Sequence, residues 1–208
     1  MADDDKLDDV YAQAKALGAQ AIYDPWAKDY DAQTAGAGFR LPALAAGFVA
    51  RYVPAGDTPI LDAAAGTGQV GRCLAVLGYG NLTGIDISAP MLEVAERSGA
   101  YRSCWRHDLA DPLPGDNAEY SATLCIGAFG PGHAPPECLG ELARVTRPGG
   151  HVIFNVVEAH WQDQGFPEII ARLVDQGLWQ EVEQSDGFSV YTQGHEDVLA
   201  RLFVMRRL

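Results

Sequence analysis

The sequence predicts an α/β fold: a doubly wound, mostly parallel seven-stranded sheet with an antiparallel edge strand and a helical cap at the N-terminus. Three observations carry this expectation. From Pro59 onward, short apolar runs alternate with segments of helical period. A glycine-rich turn within "LDAAAGTGQVGR", Leu61 to Arg72, joins the first run to the first of those helices. Aspartates end three successive runs, at Asp62, Asp86 and Asp108.

In chain order, the acidic start "MADDDKLDD" offers Asp5 or Asp9 as cap for a helix running to about Gln20. "YDPWAKDYD" offers a second start, with Asp24 as N-cap and Pro25 at the first helical position, which places Trp26 and Tyr30 on one face. After "TAGAG", a third helix is expected from the spacing of Leu44, Phe48 and Tyr52, and "VPAGDTP" stops it. Residues 1–55 thus read as the cap and 56–208 as one compact α/β unit. Within that unit, "PILDAA", "NLTGIDI", "YRSCWRHDL", "YSATLCIGA" and "HVIFNVVE" are the strands. Helices fall at Gln69 to Leu77, "APMLEVAERSG", Glu137 to Val145 and Phe166 to Gly177. "RPGG" reads as a turn, and "LWQEVEQ" and "DVLARLFVMRR" as a late antiparallel pair.

Composition narrows the function classes. The chain has 208 residues, 48% hydrophobic and 21% charged, and a net charge of -13, a field that repels nucleic-acid backbones and anionic membrane surfaces. The most continuous apolar stretch, Leu41 to Ala50, is too short to span a bilayer. The acidic N-terminus lacks the charge pattern of a secretory signal, so the cytoplasm is the expected compartment. Four cysteines without a C-x-x-C and five histidines without metal-ligand spacing predict no metal site. Monomer and homodimer both stay open.

Gly66, Gly68 and Gly71 spell G-x-G-x-x-G, the spacing of a pyrophosphate cradle. Asp62, four residues before Gly66, opposes that assignment because its carboxylate would repel two phosphates. A cationic nucleoside ligand reverses the sign, and S-adenosylmethionine carries a sulfonium and an ammonium. Asp86, 20 residues after Gly66, is placed to accept ribose hydroxyl hydrogen bonds, and Asp108 to accept from an adenine amino group. Each aspartate alone reads equally as a cap or a solvated loop acid; the ordered set with the glycines favours the cofactor.

These motifs, with "LARVTRPGGHVIF", resemble the class I S-adenosylmethionine-dependent methyltransferases, a Rossmann-like family, from about Tyr23 to the C-terminus. "YDPWAKDYD" and "GAFGPGHAPPE" are most similar to the Williams-Beuren region methyltransferase-like proteins. The resemblance implies that Asp62, Ala64, Gly66, Thr67 and Gly68 surround the methionine part of the cofactor. It likewise implies Asp86, Ile87 and Met91 at the ribose side, Asp108 and Leu109 at the adenine, and Cys125 and Ile126 after the fourth strand. Ala64 departs from the glycine the family often has there. Tyr23, Trp26 and Tyr30 form either a lid on the cofactor or an aromatic face that packs the cap onto the sheet.

His133, in the segment after the fourth strand, either removes a proton from a methyl acceptor or hydrogen-bonds it. Glu158, His160 and Trp161 are expected on the acceptor side. The implied activity is methyl transfer to a small-molecule acceptor, releasing S-adenosylhomocysteine. The alternatives are a protein that binds the cofactor without turnover and a nicotinamide-dependent reductase.

Overall fold

A computed structural model describes residues 13–208; the proposed caps Asp5 and Asp9 lie outside the described residues. After helical residues 13–17 come α1 (Ala19–Trp26), α2 (Tyr30–Gly36) and α3 (Leu41–Tyr52). The α/β unit then runs β1 (Ile60–Ala63), α4 (Gln69–Val76), β2 (Leu82–Asp86), α5 (Ala89–Arg97), β3 (Ser103–Arg106) and β4 (Tyr120–Cys125). It continues with α6 (Cys138–Val145), β5 (Thr146–Val157), α7 (Phe166–Asp175), β6 (Trp179–Gln184), β7 (Phe188–Ser189) and β8 (Leu199–Arg207).

The strand order is β3-β2-β1-β4-β5-β8-β6, with β7 paired to β8. Strands β1 to β5 are parallel and β8 runs antiparallel between β5 and β6. The two-residue β7 makes eight strands where the sequence predicts seven, and the antiparallel strand sits one place in from the edge. The chain reverses direction of winding between β1 and β4, and ligands of such sheets bind at the carboxyl ends of the strands around that point.

Both faces of the sheet are covered. Leu61 and Ala63 of β1 join a core with α6 and α7, built on Leu139, Leu142, Phe166 and Ile169. Ile60 faces the opposite core, with Leu41, Ala45 and Val49 of α3 and Leu74 of α4. Alternation along the strand therefore turns Asp62 toward the α3 and α4 side. On the first face Phe154 pairs with Phe203 across β5 and β8, ring centroids 5.1 Å apart and nearly coplanar, a cross-strand contact that fixes register.

Three local expectations are corrected. Asp24 is not an N-cap: Gly18, at φ 83°, breaks the chain and starts α1, so Asp24 and Pro25 fall in its last turn. The buried face of α3 is Leu41, Pro42, Ala45, Ala46 and Val49, whereas Leu44 is exposed; small residues allow the helix to approach the sheet closely. "RPGG" lies inside β5 as an irregularity, because Thr146 pairs with Tyr120 but His151 with Ala122. Among the described residues, no helix is long and apolar enough to cross a membrane.

Candidate active site

A cavity of about 440 Å³ opens at the carboxyl ends of β1, β2 and β4, within the ~300–1,000 Å³ typical of small-molecule sites. It collects most of the predicted residues: Tyr23 and Tyr30 from the cap, Ala64, Gly66 and Thr67 from the glycine loop, and Asp86, Ile87 and Met91 from the end of β2 into α5. Asp108 and Leu109 follow β3, and Ile126 and His133 follow β4. Ala64 holds φ 67°, a left-handed conformation that explains why glycine suits this position.

Asp86 is fixed by the backbone. Its Oδ2 accepts from the Gly66 amide at 2.8 Å and its Oδ1 from the Ser88 amide at 2.9 Å. Burial pushes its carboxyl above the ordinary range, the Ser88 and Gly66 amides pull it back, and nearby Asp24 raises it. Asp108 is exposed at the rim and accepts from the Ala110 amide at 2.9 Å.

Four predicted residues, Trp26, Asp62, Gly68 and Cys125, do not line this cavity. Cys125 is fully buried in the sheet beside Cys138. Asp62 is 1% exposed, and its Oδ2 accepts from the Tyr101 hydroxyl at 2.6 Å while its Oδ1 has no hydrogen-bond partner. The expected direct approach of Asp62 to a ligand is thus replaced by a buried charge beneath the loop. Glu158 is likewise taken up by an ion pair with Arg201 at 2.7 Å, and Trp161 stacks on Phe203 in the core.

Tyr101 explains the glycine spacing. A methyl group added at Gly71 would lie 2.3 Å from the Tyr101 hydroxyl and ring, and one at Gly68 would lie 2.8 Å from the ring. The Gly71 amide donates to the Tyr101 oxygen at 3.1 Å. The second and third glycines therefore admit a phenol that reaches Asp62, which accounts for the G-x-G-x-x-G pattern without a pyrophosphate. Sequence reading missed Tyr101 because a tyrosine before a strand carries no sign of a partner 39 residues away.

It also missed Asp31. From α2, its Oδ1 accepts from Thr67 Oγ1 at 2.5 Å and Gln69 Nε2 at 2.9 Å, and its Oδ2 pairs with Arg72 at 2.6 Å. Arg72 also donates to the Thr67 carbonyl at 2.8 Å. One carboxylate thus ties the cap to the glycine loop. Asp31→Ala is expected to lower stability by about 1–2 kcal/mol, since Thr67 is buried and loses its acceptor. Thermal unfolding checks this, and an unchanged midpoint would show that the tie carries no load.

The cap touches the segment after β4 as well. Gly132, at φ 76°, lies so close to residue 14 that a Cβ there would meet the Ala14 carbonyl at 2.0 Å, and its own carbonyl accepts from the Ala19 amide at 3.1 Å. His133 Nδ1 lies 3.1 Å from the Pro131 carbonyl. A carbonyl only accepts, so Nδ1 carries the proton and Nε2 accepts from the Tyr23 hydroxyl 3.0 Å away. Burial lowers the imidazole's proton affinity, with His160 adding to the effect and the Pro131 carbonyl opposing it.

Residues 60–150 match the family described as Methyltransferase domain. The chain is 34% identical over 166 residues to human Methyltransferase-like protein 27, covering 76% of this chain and 67% of that one. It is 30% identical over 135 residues to the Ubiquinone biosynthesis O-methyltransferase of Alkalilimnicola ehrlichii, covering 59% of this chain and about half, 53%, of that relative. A chain of the complex between the Haloferax volcanii Trm112 methyltransferase activator and the putative methyltransferase shares the fold, with a TM-score of 0.69 at 22% identity over 89% of this chain and 97% of that one. A buried acid at the end of β1, a second acid at the end of β2 that accepts from the glycine-loop amide, and a relative matched along three quarters of the sequence agree on one assignment: the chain belongs to the class I S-adenosylmethionine-dependent methyltransferases.

Proposed function

We propose that the protein transfers a methyl group from S-adenosylmethionine to a small-molecule acceptor by direct in-line displacement. The observation that carries this reading is the cavity itself, whose lining brings Asp86 and Asp108 together with the Tyr23–His133 pair. The donor set fits the cofactor: carboxylates for ribose and adenine, a buried anion in Asp62 for a cationic ligand, and, among the described residues, no lysine or arginine in the lining to hold phosphates. The relative named for ubiquinone biosynthesis supports an acceptor of small-molecule size.

When bound, S-adenosylmethionine supplies an electrophilic methyl group on an excellent leaving group. The protein's residues therefore orient and enclose rather than form a covalent intermediate. In this reading Asp86 holds the ribose, Asp108 and the Leu109 backbone hold the adenine, and the cap, residues 1–55, closes over the methionine part through Tyr23 and Tyr30. His133, neutral at physiological pH, accepts the proton of an acceptor that bears one.

The test is titration of the purified protein with S-adenosylmethionine, S-adenosylhomocysteine, NADH and NADPH, followed by methyl transfer from labelled cofactor into a metabolite extract. Stoichiometric binding of the adenosyl sulfur ligands and a labelled product are expected. Binding without any labelled product would leave a cofactor-binding protein and overturn the transferase reading; a preference for NADH or NADPH would overturn the cofactor assignment.

A further inference from the structure

A second chamber, about 70 Å³, adjoins the main cavity and shares Tyr23, Tyr30, Phe39 and Gly127 with it. It has none of Asp86, Met91, Asp108 or Leu109 in its walls, so it lies away from the adenine end. At roughly 15 Å³ per water-sized centre it has room for about five non-hydrogen atoms, the size of a reacting group rather than of a whole substrate.

Its walls are mainly rings and aliphatic side chains carried by separate parts of the chain, with Asn155 and His195 as further polar members. Tyr23 and Trp26 stack at 5.9 Å, Tyr30 meets Trp26 edge-on at 4.8 Å, and Phe39 stacks on Tyr191 at 5.2 Å. Trp26, which the sequence places at the cofactor, belongs here instead. Neither this chamber nor the main cavity has a lysine or arginine in its lining among the described residues. A phenolate, carboxylate or phosphate entering it would lose its hydration without gaining a lysine or arginine partner. An ammonium group meets the opposite conditions, because ring faces attract cations.

We propose that this chamber is the methyl-acceptor subsite and that it takes an aliphatic amine, a refinement that rests on the methyltransferase reading above. The amine nitrogen's lone pair forms the new N–C bond while the C–S bond breaks and its electron pair stays on sulfur. Positive charge moves from sulfur to nitrogen, into the faces of Tyr23, Trp26 and Tyr191. A tertiary amine ends as a quaternary ammonium with no proton to release; a primary or secondary amine passes its proton to the Tyr23 hydroxyl, which lines both cavities and gives its own proton to His133 Nε2.

The probe is tetramethylammonium, five non-hydrogen atoms and cationic, titrated into the protein saturated with S-adenosylhomocysteine. tert-Butanol serves as the neutral isostere and acetate, four non-hydrogen atoms, as an anion the chamber has room for. Tetramethylammonium is expected to bind at least about tenfold more tightly than tert-butanol, and acetate not to bind. Tyr191→Leu and Trp26→Phe, at residues that line the chamber but not the main cavity, are expected to weaken the cation several-fold while S-adenosylhomocysteine affinity stays within about twofold. Equal binding of cation and isostere, or cation binding unmoved by both substitutions, overturns the proposal. Labelled-methyl transfer to phenols but not to dimethylalkylamines would do the same. Failure of S-adenosylhomocysteine itself to bind would sink the cofactor reading instead, so the two failures are distinguishable.

Discussion

Asp86→Ala is expected to weaken S-adenosylhomocysteine binding by about 100-fold, the loss of charge-assisted hydrogen bonds worth roughly 1.5–3 kcal/mol. The carboxylate is held at the cavity by the Gly66 and Ser88 amides, one on each oxygen. With the Ile87 amide also acting on the carboxylate, acceptor capacity still remains for a ribose hydroxyl. Alanine removes the ligand's partner and also frees the Gly66 amide, so the glycine loop keeps its Ala65–Ile85 backbone bond to β2 but loses the one made through Asp86. Asp86→Asn keeps one carbonyl acceptor and turns an N–H pair toward an amide donor, and about a tenfold loss is expected. Calorimetric titration of both variants checks the order; wild-type affinity in the alanine variant would remove Asp86 from the site.

The sequence made the sheet legible because its signals are local. Alternating apolar runs and helices, and an acid at the end of three successive runs, are visible within a few residues of one another. The cavity residues followed from that order, since strand ends on one sheet edge converge whatever the loops between them. What escaped depends on distant partners. Asp31 meets Thr67, Gln69 and Arg72 only after the cap folds back, and nothing near "DYDAQ" marks it apart from any solvated acid. Pro25 misled because its usual place is a helix start, whereas Gly18 had already supplied one. Asp62 was singled out for its charge, but its direction is a consequence of strand alternation and of Tyr101, which only the packed structure brings together.

That buried charge makes the second large prediction. Burial raises the Asp62 carboxyl from its ordinary 3.8 to about 6; the Tyr101 hydroxyl lowers it and Asp86 raises it. The folded protein therefore binds more protons than the unfolded chain between about pH 4 and 6, so stability falls as pH rises through that window. The loss amounts to about 3 kcal/mol and is complete above the folded value. Asp62→Asn lacks the titration, and the stability difference between variant and wild type should shift by about that amount in the variant's favour from pH 4 to pH 7. Chemical denaturation at both pH values measures it, and parallel pH profiles would show that burial does not raise the Asp62 carboxyl above its unfolded value. A protein that keeps such a destabilising anion beneath its cofactor loop is expected to use it. S-adenosylmethionine carries a sulfonium that S-adenosylhomocysteine lacks, so a negative Asp62 favours the former. By linkage, binding of that cation also lowers the Asp62 carboxyl, and affinity for it should climb as pH rises through about 6. In Asp62→Asn the pH dependence should vanish and the preference for the cationic ligand shrink, while S-adenosylhomocysteine binding changes little. Stability lost to the buried charge in the free protein is then the source of discrimination between cofactor and product.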